Sequence, residues 1–482
     1  MKPIFMKSIL LISCLLVLLS CKDKENNKLV ETEVESITDS DTSVHPVPFP
    51  DLGIEGFTFP TDSTTINNWV NTQNMTEIYK HGWGIWAGLT SGTNQNEGGN
   101  NLLVFETWLT PKEIIDSINK IPVQRVGRSN LNKLSQFVHA KAKSSFSEDT
   151  SIAESVSYSP AAATYALDNK IFLAVTLAKY QLEGKVKIPD FPNDAITIKP
   201  VFKIITKDKL NENGIYSMAS WHGPIDTVDA YPESAWGSCV YVDINNNGNG
   251  NGNIDMECNN ITPENTYNLT DFIHFKINQE DADYYNQQFD SINVKAGDYA
   301  ILVGMHVTSR EITRWTWQTF WWTPNPENPP APSSSYIAGL RPLQSLNGAA
   351  NHYAMTAAYS MVSPAQPYYN GESVGDTLIA FNPYLEAGFG PDVFTGSNSY
   401  VVVNGTKVPT DAGVRTNCMS CHIYAAYDAF NPKNGTPYSG DAYVSMSDTI
   451  FKGKLQLDFA WSIKSNVDTT GIGNYIKNLK KE

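Results

Sequence analysis

Beyond its first twenty residues the chain has no apolar run of the ~20 residues that a helix needs to span a bilayer, so no later segment is expected to cross a membrane. Positive charge is scarce: 35 Lys and Arg stand against 50 Asp and Glu, a net charge of −15, and no basic cluster interrupts the acidity. A polyphosphate would be repelled, which argues against nucleic acid as a partner. No GxSxG, HExxH or Walker A pattern occurs, so the common hydrolase and nucleotide chemistries have no carrier. Scattered acids such as Asp281 and Asp283 read as the solvated face of a short helix. No repeat at a fixed period is visible, which disfavours a solenoid or propeller. Cysteine is sparse, with six in 482 residues, so each has to be accounted for.

Apolar residues make up 41% of the chain, with 23 Tyr, 20 Phe and 11 Trp, ample material for aromatic-rich cores and more than one domain. Lys2 and Lys7 followed by the apolar Ile9 to Leu19 read as an export signal over residues 1–20. Leu18-Leu19-Ser20-Cys21 resembles the lipobox of bacterial lipoproteins, which implies lipidation at Cys21 and anchoring through acyl chains. The expected location is the bacterial cell envelope, lipid-anchored and periplasm-facing or outer-membrane associated. Residues 21–50 are charged, rich in Ser and Thr and end in prolines, the composition of a disordered tether.

Ordered structure is expected from about Leu52. Apolar spacing between Thr61 and Leu89 predicts two short helices, and Asn101 to Trp108 reads as a buried strand. Thr110-Pro111-Lys112-Glu113 is a capping box that opens a helix. Ala162 to Gly184 has no breaker and predicts one core helix. Ile196 to Thr206, Trp236 to Ile244, Thr270 to Ile277 and Tyr299 to Val307 are β-rich. The fold class that follows is α+β: a β-rich N-terminal body with helices over 51–323, a proline-rich linker or loop over 324–335, and a mostly helical and loop haem region over 336–482.

With Cys14 inside the signal and Cys21 as the lipid site, four cysteines remain. Cys239 and Cys258 could close a disulfide loop, worth ~3 kcal/mol in the chain-entropy model, in an oxidising compartment. Between them, Asp243, Asn245, Asn247 and Asn249 with Gly248 resemble the start of an EF-hand calcium loop, but the twelfth position lacks Glu, and a flexible polar loop is the simpler reading. Cys418-Met419-Ser420-Cys421-His422 is Cys-x-x-Cys-His, the attachment pattern of one haem c. Two thiols at this spacing can each reach a porphyrin vinyl group, and the following His can ligate the iron. A redox dithiol or a zinc site are the rival readings.

Through Cys418, Cys421 and His422 the chain resembles the c-type cytochromes. With HGWGIWAGLT (His81 to Thr90), VFETW (Val104 to Trp108), RWTWQTFWW (Arg314 to Trp322) and LDFAWSI (Leu457 to Ile463), it also looks like uncharacterised monohaem cytochrome c family lipoproteins from bacteria. That resemblance implies haem and export, and no particular reaction. Met446, His352, Met355 and His306 are sixth-ligand candidates, each also readable as a packed or hydrogen-bonded core residue; a vacant sixth position is a further alternative. The Trp315 to Trp322 cluster, Phe459 and Trp461 read either as core or as a haem-pocket wall. The expected activity is electron transfer with a redox partner protein or small molecule, and the alternative is a haem-dependent oxidoreductase with its pocket against the N-terminal body.

Overall fold

The helix signals in the first hundred residues translate directly. Asp62 accepts from Thr64 N and starts α1 (Ser63–Asn71), and Asn74 accepts from Glu77 N and starts α2 (Met75–Leu89). Thr110 and Glu113 close the expected capping box over α3 (Pro111–Ile118). The predicted helix after Ala162 forms as two, α4 (Pro160–Asn169) and α5 (Ala174–Leu182), because Lys170 turns left-handed (φ 50°) and ends the first. A further helix, α6 (Gln279–Asn286), buries Asp281 and leaves Asp283 outside, so Asp281 does not lie on the solvated face expected of it. The stretch read as a strand from Asn101 to Trp108 is extended only as far as Leu103 and then winds into a 3₁₀ turn, Val104–Thr107.

These coordinates are a computed structural model that describes residues 43–97, 100–123, 125, 128, 131–133, 152–225, 230–288, 293–346, 348–365, 375–388, 400–403, 406–409, 417–433 and 443–479. The expected signal over 1–20, Cys14, the lipid site Cys21 and the tether as far as residue 42 lie outside the described residues.

The centre is an eight-stranded antiparallel sheet: β1 (Asn132–Lys133), β2 (Ile152–Glu154), β3 (Ser157–Tyr158), β4 (Ile196–Ile205), β5 (His274–Lys276), β6 (Tyr299–Ser309), β7 (Thr316–Trp322) and β8 (Tyr353–Ala357). Its order is β8-β7-β6-β4-β2-β1, with β3 added to β4 and β5 to β6. The α+β class is therefore as expected. The strand β8 follows the proline-dense segment yet pairs with β7 before it, Phe320 opposite Met355, so that segment connects neighbouring strands of one sheet. From Ser43 to Glu482 the chain forms one compact unit. After β8 the chain continues in short helices, loops and small β pairs such as Ala426–Tyr427 with Leu455–Gln456. Among the described residues no helix is long and apolar enough to cross a membrane.

Side chains opposite each other in the sheet share a face, which sorts the centre into two sides. Pro200, Met305, Phe320 and Met355 form one row. The helix α2 covers it: Trp86 stacks on Phe320 with ring centroids 4.4 Å apart, and Gly82 lets the helix come so near that a Cβ there would stand 3.3 Å from the Met355 methyl. The adjacent row, Lys199, His306, Thr319 and Thr356, faces the other side. There Asn382 donates to Thr319 Oγ1 (2.9 Å) and to the Phe320 carbonyl (2.8 Å), in space that exists because residue 304 is Gly. The chain that carries the Cys-x-x-Cys-His motif packs on this second side.

Candidate functional site

Cys418–His422 forms one short helical turn. Asn417, 1% exposed, fixes it: its side-chain oxygen accepts from Ser420 N (2.9 Å), while its amide donates to the carbonyls of Leu378 (2.7 Å) and Met361 (3.1 Å). Met419 and Ser420 are buried, whereas Cys418, Cys421 and His422 are half-buried and both cysteines are free thiols. Residues three and four apart share a helix face, so the two sulfurs sit on one side of the turn.

His422 Nδ1 lies 2.8 Å from the Phe459 carbonyl. A carbonyl can only accept, so Nδ1 carries the proton and the lone pair belongs to Nε2, the tautomer of a metal-ligating imidazole. The Phe459 carbonyl is delivered by an unusual backbone, Asp458 (φ 47°) and Phe459 (φ 69°) being consecutive left-handed residues, a conformation that costs ~1–3 kcal/mol for each non-Gly residue. Asp458 holds it in place by accepting from Arg310 Nε (2.9 Å) and Phe191 N (3.3 Å). Burial nonetheless pushes the Asp458 carboxyl up. Trp317 lies against His422 with ring centroids 4.3 Å apart, and Trp461 Nε1 donates to the Cys421 carbonyl (3.1 Å). The Trp cluster is thus core, as its burial shows, and Trp317 also walls the motif.

Of the four sixth-ligand candidates, His306 is the one that touches the motif. Its Nδ1 is 3.9 Å from Cys418 Sγ, and its Nε2 donates to Glu386 Oε1 at 2.6 Å. Met355 lies in the row covered by α2, on the opposite face from His306; the segment around it is a strand, so the helical pairing of His352 with Met355 does not form. His352 stands beyond the far end of β7, where its carbonyl accepts from Thr323 N and its Nε2 is 3.8 Å from Asp271. Met446 packs against the same core as Met419. Sequence reading did not find Glu386 or the anchoring role of Asn417, because their relation to the motif depends on strand register and on chain returns of dozens of residues.

The thiols are not activated. Burial and the Glu386 carboxylate raise Cys418 well above the ordinary thiol range and push Cys421 up to about 12. Among the described residues no set of three His, Cys, Asp or Glu side chains is placed to hold a metal ion.

Cys239 and Cys258 do form a disulfide, with Cα atoms 5.1 Å apart. In the loop that they close, the Asp243 carboxylate accepts from Asn245 N (2.7 Å) and Asn247 N (3.0 Å), and Asp255 accepts from Glu257, Asn259 and Asn260 N. These carboxylates are turned onto the loop's own backbone.

No protein-family model, curated protein or solved structure matches the chain.

Proposed function

We propose that the chain binds one covalent haem c, with Cys418 and Cys421 as thioether anchors and His422 as an axial ligand, and that it transfers single electrons. The observation that carries this reading is the His422 Nδ1 hydrogen bond to the Phe459 carbonyl, which selects the Nε2 lone pair on the same turn that presents two thiols. Cys418 and Cys421 would hold the haem through thioethers, each S–H adding across a vinyl group with the sulfur on one vinyl carbon and the hydrogen on the other. A bound haem supplies reversible one-electron chemistry. The fit is supported by the half-buried side of the turn and by Trp317 and Phe459 as aromatic walls. A redox dithiol is disfavoured because thiols held this far above the usual range give little thiolate at neutral pH. Zinc lacks an assembled ligand set among the described residues.

The proposed export agrees with the same reading, since haem c is attached outside the cytoplasm and the Cys239–Cys258 disulfide suits an oxidising compartment. The chain is proposed to sit on the cell envelope through lipid at Cys21, its net charge of −15 steering a basic redox partner.

A second reading, oxidation or reduction of a small molecule, is favoured by one observation. His306 Nε2 is committed to Glu386, which leaves Nδ1 facing the motif and equips the imidazole to move a proton there.

The test is a reduced-minus-oxidised spectrum of protein matured in a host with haem-attachment machinery, with haem staining after denaturing electrophoresis. Cys418→Ser with Cys421→Ser should abolish covalent haem completely; stain retained in that double variant would sink the proposal. His422→Ala should keep the stain and lose the native axial ligation. Carbon monoxide then separates the two readings: an unchanged α-band supports a saturated electron carrier, a shifted one the oxidoreductase.

A further inference from the structure

Arg314 lies in the turn between β6 and β7, braced by Trp315, which takes a left-handed conformation (φ 61°). The other described arginines, Arg125, Arg128, Arg310 and Arg341, are each paired with a carboxylate. Arg314 has none among the described residues. Its half-buried guanidinium donates through Nη1 to the Val444 carbonyl (3.0 Å) and Met361 Sδ (3.6 Å), and through Nη2 to Tyr443 OH (2.7 Å). All three acceptors are neutral, and of the five N–H donors of a guanidinium the Nε–H and one Nη2–H have no acceptor among the described residues. A cation removed from water without a counter-charge is unfavourable, and burial already lowers its pKa.

A cavity of about 220 Å³ adjoins it. Its polar lining comes from Asn67 and Asn71 at the exposed mouth on α1, Thr313, Ser360 and Tyr359, amide and hydroxyl groups with no carboxylate among them. Lone charge, unused donors and neutral hydrogen-bonding walls together describe a pocket for an oxyanion.

We propose that this cavity is a carboxylate-binding site, in which the remaining Arg314 N–H groups take the two oxygens and the Asn67, Asn71 and Thr313 side chains complete the shell. Two sources present that chemistry. Trp317 Nε1 donates to the Arg314 carbonyl (2.9 Å) while its ring lies against His422, so Trp317 links the Arg314 turn to the motif, and a haem propionate is one source. That source rests on the haem reading. A free small carboxylate entering past Asn67 and Asn71 is the other, and it does not.

The experiment uses the mature full-length protein as purified, with succinate as probe in isothermal titration at constant ionic strength, and potentiometric titration of any attached haem. Arg314→Gln removes the charge, and Asn71→Asp, at an exposed helix position, opposes an anion without touching the core. With a free carboxylate as ligand, succinate binds saturably and both variants weaken it by roughly tenfold or more. With a propionate as ligand, succinate does not bind, and both variants lower the haem midpoint potential, Arg314→Gln more. No succinate binding together with an unmoved potential overturns the proposal. If the protein carries no haem, the haem reading falls separately and succinate binding alone decides this one.

Discussion

Among the described residues two histidine–glutamate pairs use the same chemistry in opposite circumstances. His81 on α2 donates from Nε2 to Glu311 at 3.1 Å with side chains 2% and 0% exposed, and His306 on β6 donates to Glu386 at 2.6 Å with 14% and 16% exposed. In the sealed pair every polar atom is committed. His81 Nδ1 meets Tyr359 OH at 2.5 Å, Glu311 Oε1 also accepts from Thr61 N at 2.6 Å, and Glu311 Oε2 accepts from the Ser309 hydroxyl. In the open pair, Nδ1 of His306 is turned to a cysteine thiol at the edge of the candidate site. Closure of the hydrogen-bond network, rather than residue type, separates a structural pair from one that chemistry can use.

The largest expected effect breaks the sealed pair. Glu311→Ala removes the buried acceptor of the His81 Nε2–H, the Thr61 N–H and the Ser309 hydroxyl at once, so urea unfolding should show a loss of about 3–5 kcal/mol. A loss below about 1 kcal/mol would mean that the network is not the structural element its closure implies.

Asp281 sharpens the comparison, since it is a carboxyl 6% exposed whose neighbours include the acids Glu97 and Glu280. Burial, with those charges, pushes its pKa up to about 7, from an ordinary 3.8, and Arg128 opposes them only in part. A pKa raised on folding favours the protonated form. Its contribution is therefore fully present below about pH 4 and is lost as pH rises through about 7. Asp281→Asn should flatten this dependence and stabilise the protein by about 2–4 kcal/mol at pH 8.5 while leaving it nearly unchanged at pH 4, as read by urea midpoints. Equal midpoint shifts at both pH values would remove the assignment.

Asp281 also marks where sequence reading ends. Capping boxes and proline at the first helical position are local signals, and Thr110 with Glu113 forms the expected cap. Long apolar runs are nearly local, and Ile196–Ile205 and Tyr299–Ser309 are strands where those runs predict them. The break at Lys170 was not legible, because no breaker residue announces a left-handed Lys. Which side of a short polar helix is covered depends on what packs there, so Asp281 and Asp283 looked alike in sequence and differ in the fold. The motif cysteines and His422 were legible by spacing alone. Glu386 and Asn417 were not, since the first meets the site through a strand eighty residues away and the second through the carbonyls of Met361 and Leu378.

The smallest stability effect belongs to the open pair, and there the comparison can fail most informatively. His306→Ala removes a partly exposed histidine–carboxylate hydrogen bond, and no further described hydrogen bond runs from the imidazole to the backbone, so unfolding should shift by no more than about 1 kcal/mol. Glu386 keeps other work, because its second oxygen accepts from Asn382 N at 2.6 Å, and Asn382 in turn bridges Thr319 and Phe320; Glu386→Gln is therefore expected to cost somewhat more than His306→Ala. Against that small stability change, the spectrum of the haem-loaded protein should respond strongly. If His306 supplies the sixth ligand, the variant turns from low-spin to high-spin and gains carbon monoxide binding. If it moves protons, the spin state is kept and the pH dependence of turnover or of the midpoint potential changes instead. A variant with unaltered spectrum, unaltered pH dependence and a multi-kcal/mol loss of stability would place His306 with His81, and the two pairs would then be structural alike.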